Sequence, residues 1–281
     1  MTLSFDFLGK LVIYQFYPYT PPISFTSMSP DEYHAWMLQF TNGGERMNHE
    51  VTVAVHQPNY LPWTGYFYKM LKSDIFVFLD NVQYSKNSFI NRNKIKGQQG
   101  AQWLTVPIHG STHKNIDEIE CADCHWAEKH MRTLDTCYAK APYYELYRPK
   151  LFEIYETMNT RNLSQLNKAL IGQIAGWLQI PCQIRSTSEF TLSDASNGRL
   201  IEIAQRVGGH IYLSGQGAAA YQDAKKFEDA GITLQYYDFS PPTYPQLYEG
   251  FESHLSVVDL LFNTGRAAAE ILRQSSRQTA E

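Results

Sequence analysis

His56, Gln57, Asn59, Tyr60, Gly65 and Lys69 fall within fourteen positions, in the run Val-His-Gln-Pro-Asn-Tyr-Leu-Pro-Trp-Thr-Gly-Tyr-Phe-Tyr-Lys. An imidazole set among amides and an amine can steer a phosphate or carboxylate, or move a proton as general acid or base. Thr64 and Gly65 open a short helix after a proline-punctuated turn. A helix start presents free N–H groups and a positive dipole end to an anion. A strand-end histidine and a turn that needs glycine would explain the same residues without any ligand.

A second group comprises Asp80-Asn81-Val82-Gln83-Tyr84 and Asn91-Arg92-Asn93-Lys94. Asp80 closes an apolar run, where a carboxylate can grip a ribose hydroxyl, an amine or a hydrated metal ion. Arg92 offers a planar fork for carboxylate or phosphate, and Lys86 and Lys94 add point charges. Turn residues and a solvated face are the plainer alternative. Tyr212-Leu213-Ser214-Gly215 runs from strand into a glycine-rich turn whose N–H groups can cradle an anion. Ser214 lacks the Gly-x-Ser-x-Gly elbow of a hydrolase nucleophile. Gln246 follows Tyr244-Pro245 in a rigid loop, and Asp259 and Asn263 share a helix face that either reaches a site or lies on the surface. Cys121-Ala-Asp-Cys124-His125 matches the c-type haem pattern, and His130 would complete a zinc set. Without an export signal or a second ligand pair, no metal ligand is assigned.

These side chains need a scaffold. Strands are expected at 51–57, 74–80, 103–108, 182–187, 210–214 and 232–239, and helices at 65–72, 126–139, 144–158, 163–178, 197–207 and 256–274. Leu166, Leu170, Ile174 and Trp177 recur at helical spacing, and Gly208-Gly209 ends a helix as a cap would. Strands alternating with helices predict an α/β fold: a mostly parallel sheet with flanking helices, Rossmann-like or nucleotidyltransferase-like, with a helical insertion over about 110–180. Ligands of such sheets bind outside the carboxyl ends of strands, where His56, Asp80 and Ser214 fall. The architecture resembles that of nucleotidyltransferases, although Trp63-Thr64-Gly65-Tyr66 stands where they carry His-x-Gly-His.

With 281 residues, 43% hydrophobic, the chain can bury a sizeable core. A net charge of −4 gives no reason to expect nucleic acid as a partner. Nineteen tyrosines and fifteen phenylalanines suit either a tyrosine-rich core or a sugar- or nucleotide-facing surface. No run approaches the roughly 18 apolar residues of a membrane span, so membrane insertion is not expected. Four cysteines make no disulfide scaffold, and a reducing cytoplasm is the default compartment. Residues 1–46 carry few charges and no sustained period, and Met47 precedes the first convincing strand. Gly43-Gly44-Glu45 must be encoded by GGN-GGN-GAR, which can hold a purine-rich ribosome-binding sequence. The expectation is a translated leader at 1–46, with a genuine but poorly packed N-terminal extension as the alternative, and a single domain at 47–281. Mass spectrometry of natively expressed protein tests it: the tryptic peptide 11–46 should be absent, and its detection would overturn the idea.

With these residues in view, the chain resembles the WbqC-like family. The likeness rests on His56-Gln-Pro-Asn-Tyr-Leu-Pro-Trp-x-Gly-Tyr-Phe, Asp80-x-Val-Gln-Tyr, Asn91-Arg-Asn, Trp103-Leu-Thr-Val-Pro, Tyr212-Leu-Ser-Gly, Tyr244-Pro-Gln and Leu255-Ser-x-x-Asp-Leu-Leu-Phe-Asn. It spans residues 51 to about 275 and leaves out 1–46. The resemblance implies a role in bacterial surface-polysaccharide (O-antigen) synthesis, with transfer of glycine onto an amino sugar as the suggested activity. Joined to the residues, it gives an aminoacyl or acyl transferase, or an ATP-dependent amide ligase using ATP with Mg2+, acting on an amino sugar or nucleotide sugar. His56, Asp80 and Arg92 are the candidate catalytic groups. Gln57, Asn59, Tyr60, Gly65, Lys69, Gln83, Tyr84, Asn91, Asn93, Lys94, Tyr212, Ser214, Gly215 and Gln246 are the candidate substrate or nucleotide contacts. A non-catalytic sugar- or nucleotide-binding module in a glycan-assembly complex is the alternative.

Overall fold

The computed structural model describes residues 3–5, 11–13, 50–110, 113–122, 125–158 and 161–275. Two compact units divide between Arg46 and Met47. In the first, β1 (Leu3–Phe5) and β2 (Leu11–Ile13) pair antiparallel.

The second unit runs β3 (Thr52–His56), α1 (Thr64–Leu71), β4 (Ile75–Phe78), β5 (Arg92–Gly97) and β6 (Gly100–Thr105). Then come α2 (His125–Tyr138), α3 (Tyr144–Thr157), α4 (Leu163–Trp177), β7 (Gln183–Ser186) and α5 (Ser196–Arg206). The chain closes with β8 (Ile211–Gly215), α6 (Ala224–Asp229), β9 (Thr233–Tyr237), α7 (Val257–Thr264) and α8 (Ala267–Arg273). An α/β fold results.

Five strands form one parallel sheet in the order β7-β4-β3-β8-β9. Counted along the chain, that is third, second, first, fourth, fifth. The winding direction therefore reverses between β3 and β8, the place where open α/β sheets hold ligands. Alternation sorts the side chains. Val53, Val55, Ile75 and Val77 pack against Ile201, Ile203 and Phe227 of α5 and α6. Ala54, Phe76 and Phe78 face Tyr66, Phe67 and Met70 of α1 and Ile171 and Ile174 of α4. Burial on both faces explains why β3 and β4 read as nearly continuous apolar runs.

Two expectations are corrected, and α6 was not among the expected helices. The strand expected at 103–108 belongs instead to the antiparallel ribbon β5–β6, a sheet of its own. The helix expected over 256–274 breaks at Gly265, whose φ of 62° suits glycine and whose absent side chain leaves room for the Tyr143 ring. The short α6 offers too few turns for a periodic signal. Helices α2 to α4 fill the expected insertion, and Gly208, at φ 73°, caps α5.

Candidate functional site

His56 ends β3 with its Nδ1 3.0 Å from the Gln57 carbonyl oxygen. That contact places the ring proton on Nδ1 and leaves Nε2 as the acceptor. The Tyr66 ring packs edge-on at 4.6 Å, and its hydroxyl donates to the same carbonyl at 3.1 Å. From the buried α1, Lys69 reaches back under the strand, 5% exposed, and donates to the Val55 carbonyl at 2.8 Å. Among the described residues no carboxylate pairs with it. Burial lowers the Lys69 ammonium to a pKa of about 7. It also pushes the His56 imidazole down to about 3, helped by the Lys69 charge and opposed by the Gln57 hydrogen bond. Burial thus favours the uncharged form of both groups.

Asp80, two residues beyond β4 and 2% exposed, is fully engaged. Lys168 of α4 forms an ion pair at 2.6 Å, Ser164 donates at 2.6 Å and Thr187 donates at 3.1 Å. The Lys168 ammonium also donates to Ser186 at 2.7 Å. Burial first, then the nearby Asp80 charge, raises the carboxyl of Asp117, whose Oδ1 is buried with no hydrogen-bond partner.

Beyond the strand ends opens a cleft of about 640 Å³. Its walls come from the turn after β4 (Leu79 to Gln83), the start of α5 (Ser196 to Leu200) and the turn after β8 (Ala218 to Gln222). Asn81, Gln83, Asn115, Asn197 and Gln222 give it an amide lining, with Arg199 as the cation. Asn81 Oδ1 and Gln222 Oε1 are buried without a hydrogen-bond partner. Buried acceptors left open are costly, so they favour a ligand rich in O–H or N–H donors. Arg199 donates to the carbonyls of Asn81 at 3.3 Å and Asp194 at 2.9 Å, which aims it while leaving donors to spare. The ring of Tyr221, 82% exposed, stands on the wall.

His56, Asp80 and Arg92 do not converge on this cleft. Alternation along the strands puts His56 and Asp80 on the α1/α4 face, whereas Leu79 and the start of α5 belong to the other. The link is backbone: the Leu79 N–H donates to the His56 carbonyl at 2.9 Å. Arg92 stands on the β5–β6 ribbon, its guanidinium 4.3 Å from the Trp103 ring centroid and donating to the Asn87 carbonyl at 2.6 Å. Lys94 is exposed on the same ribbon.

Of the expected contacts, Gln83 lines the cleft. Gln57 is half-buried beside His56, and Asn59 is buried. Tyr60 bonds Tyr155 and His130 in the core, and Tyr84 donates to Asn91, which donates to the Val106 carbonyl. Asn93 holds the Leu61 carbonyl, Tyr212 packs on Phe227, and Ser214 is buried. Gly215 leaves room for the Tyr237 hydroxyl, and Gln246 braces Lys96 and Glu252. Gly65 is occupied from the side: a Cβ there would lie 2.4 Å from the Trp63 indole. That ring lies against the first turn of α1. Asp259 is buried and accepts from Tyr138 and Tyr244, which settles it in the core. Cys124 lies outside the described residues, and both nitrogens of His130 are engaged, one by Tyr60 and one by the Thr105 carbonyl. Lys168, Ser164, Thr187, Arg199, Asn197, Asn115 and Gln222 were not expected, because only folding brings them to this edge.

The WbqC-like protein family model matches residues 57–271. The chain belongs to the WbqC-like protein family. An uncharacterized protein of Mycobacterium tuberculosis strain H37Rv is 36% identical to it over 224 residues, covering 79% of this chain and 97% of that protein. No solved structure matches the chain significantly. Every residue that lines the cleft falls in the matched span, and His56 stands one residue before it. Among the described residues of this WbqC-like chain, no helix is long and apolar enough to cross a membrane.

Proposed function

We propose that this WbqC-like protein is an aminoacyl or acyl transferase that acylates the amine of a sugar destined for a bacterial surface polysaccharide. The sugar, carried on a nucleoside diphosphate, binds in the cleft at the carboxyl edge. The observation that carries this reading is the cleft's lining. Amides suit hydroxyls and an amine, Arg199 beside the start of α5 suits a diphosphate, and the exposed Tyr221 ring suits a base. An already activated acyl donor needs chiefly to be positioned against the amine. As the C–N bond forms and the donor's leaving group departs, the amine loses a proton. That proton passes to solvent at the open cleft and the leaving group takes one from it, since His56 and Lys69 stand on the α1 side of the sheet and not in the cleft. An ATP-dependent ligase is the variant of this reading in which the protein makes the activated donor itself.

A second reading, a non-catalytic sugar- or nucleotide-binding module, is favoured by one observation: no carboxylate, histidine or lysine lines the cleft. Calorimetry with UDP-linked amino sugars, together with a transfer assay, separates the two. Binding should be micromolar, and Arg199→Ala should weaken it by about tenfold or more, since charge-assisted hydrogen bonds contribute about 1.5–3 kcal/mol. His56→Gln, a change on the other face of the sheet, should leave both binding and transfer close to the parent, whereas Arg199→Ala should slow transfer as it weakens binding. Binding with no turnover from any activated donor establishes the module. No binding at all overturns both readings, and ATP-dependent pyrophosphate release would establish the ligase.

A further inference from the structure

From residue 81 to residue 116 the sequence holds no aspartate or glutamate, yet it carries Lys86, Arg92, Lys94, Lys96 and Lys114, in a chain whose net charge is −4. Lys96 is buried and engaged by the carbonyls of Tyr248 and Gly250. The others are exposed, or half-buried in the case of Arg92, and none forms an ion pair among the described residues. Phe89 is 51% exposed and Trp103 is 44% exposed, and their ring centroids lie 6.0 Å apart. Lys94 Nζ lies 5.3 Å from the Trp103 ring centroid, on the same face of the ribbon as Arg92. The Arg92 Nε is buried without a partner. Two half-exposed aromatic rings flanked by unpaired cations form a small apolar surface with a positive rim, which the core does not require.

We propose that this face of the β5–β6 ribbon docks the protein on an anionic membrane surface. Indole and phenyl rings settle at the boundary between headgroups and acyl chains, while lysine and arginine engage lipid phosphates. Charge complementarity selects this occupant, because the longest acid-free stretch of an acidic chain surrounds the exposed rings. Single-stranded RNA also favours cations with aromatics, but it needs open ring faces for base stacking. Here the Arg92 guanidinium already lies over one face of Trp103. The proposal is independent of the cleft and its ligand.

Sedimentation of the full chain with vesicles of phosphatidylcholine alone, or of phosphatidylcholine and phosphatidylglycerol in equal parts, tests it. Binding should require phosphatidylglycerol and weaken with salt. Lys94→Glu should reduce it by about tenfold or more, because each cation near an anionic surface contributes measurably. Phe89→Ala with Trp103→Ala should also abolish it, with circular dichroism confirming the fold. If that double variant unfolds, Lys94→Glu on its exposed side chain decides. The proposal is overturned if neither vesicle binds, if both bind equally, or if Lys94→Glu binds like the parent. It is also overturned if a single-stranded RNA oligonucleotide binds more tightly than vesicles and is lost with the same substitutions.

Discussion

Replacing Asp80 with alanine is expected to destabilise the second unit by about 3–5 kcal/mol, the cost of stranding one partner of a buried ion pair. The carboxylate holds the Lys168 ammonium at 2.6 Å and accepts from Ser164 and Thr187, so its loss leaves three donors without an acceptor. Lys168 is about a quarter exposed and keeps Ser186, so part of its charge is recovered by water and hydroxyl. Lys168→Met should therefore cost less than Asp80→Ala, about 2–3 kcal/mol, through the uncompensated carboxylate. Combining Asp80→Ala with Lys168→Met should cost clearly less than the sum of the single changes, because the two groups interact directly. Urea unfolding of the four proteins measures all of this. Additive losses, or an Asp80→Ala protein as stable as the parent, would show that the pair does not anchor the turn after β4. That turn carries Asn81 and Gln83 into the cleft, so a loosened anchor should also weaken ligand binding.

The same pair shows why the edge was only partly legible in the sequence. Asp80 was visible because a carboxylate follows five apolar residues. Its partners come from α4 and the turn after β7, and no local spacing points to them. The main sheet was readable because β3 and β4 are buried on both faces and carry little but apolar side chains. The ribbon was not: Arg-Asn-Lys-Ile-Lys-Gly lacks strand-like alternation, and Gln98-Gln99 between two glycines is not the usual Asn-Gly hairpin signal. Tyrosine content pointed two ways, and packing decides it. Tyr60, Tyr138, Tyr144, Tyr155 and Tyr244 are buried and direct their hydroxyls to interior partners. The exposed Tyr221 is the tyrosine left at the cleft. Polar motif residues such as Asn91 and Asn93 turn inward to hold backbone carbonyls, a role that residue type alone does not separate from substrate binding.

Folding stability should fall steeply as pH drops below about 6.5, the ordinary histidine value. His56 is held down to about 3 by burial and by Lys69, and His130 to about 4 by burial among Tyr60, Tyr155 and Trp126, with Lys129 adding a like charge and the Thr105 carbonyl opposing. The folded state resists both protons while the unfolded chain takes them up. The contribution of the two histidines is therefore full above about 6.5 and is lost as pH falls toward the folded values, at up to about 2.7 kcal/mol per pH unit when both groups contribute. Asp117 and Asp259, whose carboxyls burial raises, act in the opposite sense below pH 5 and flatten the lower end of the curve. Against a typical stability of about 5–15 kcal/mol, two such protons suffice to bring unfolding close to pH 4. Lys69 extends the trend upward: its folded value of about 7 lies below the ordinary 10.5, so stability should keep rising from pH 7 toward 10. Urea titrations at pH 7.5, 6.0, 5.0 and 4.5 measure the slope. His130→Gln should remove about one proton from it, up to about 1.4 kcal/mol per pH unit, whatever it costs at neutral pH. A flat profile between pH 7 and 5 would mean that both imidazoles accept protons freely and that burial holds neither of them neutral.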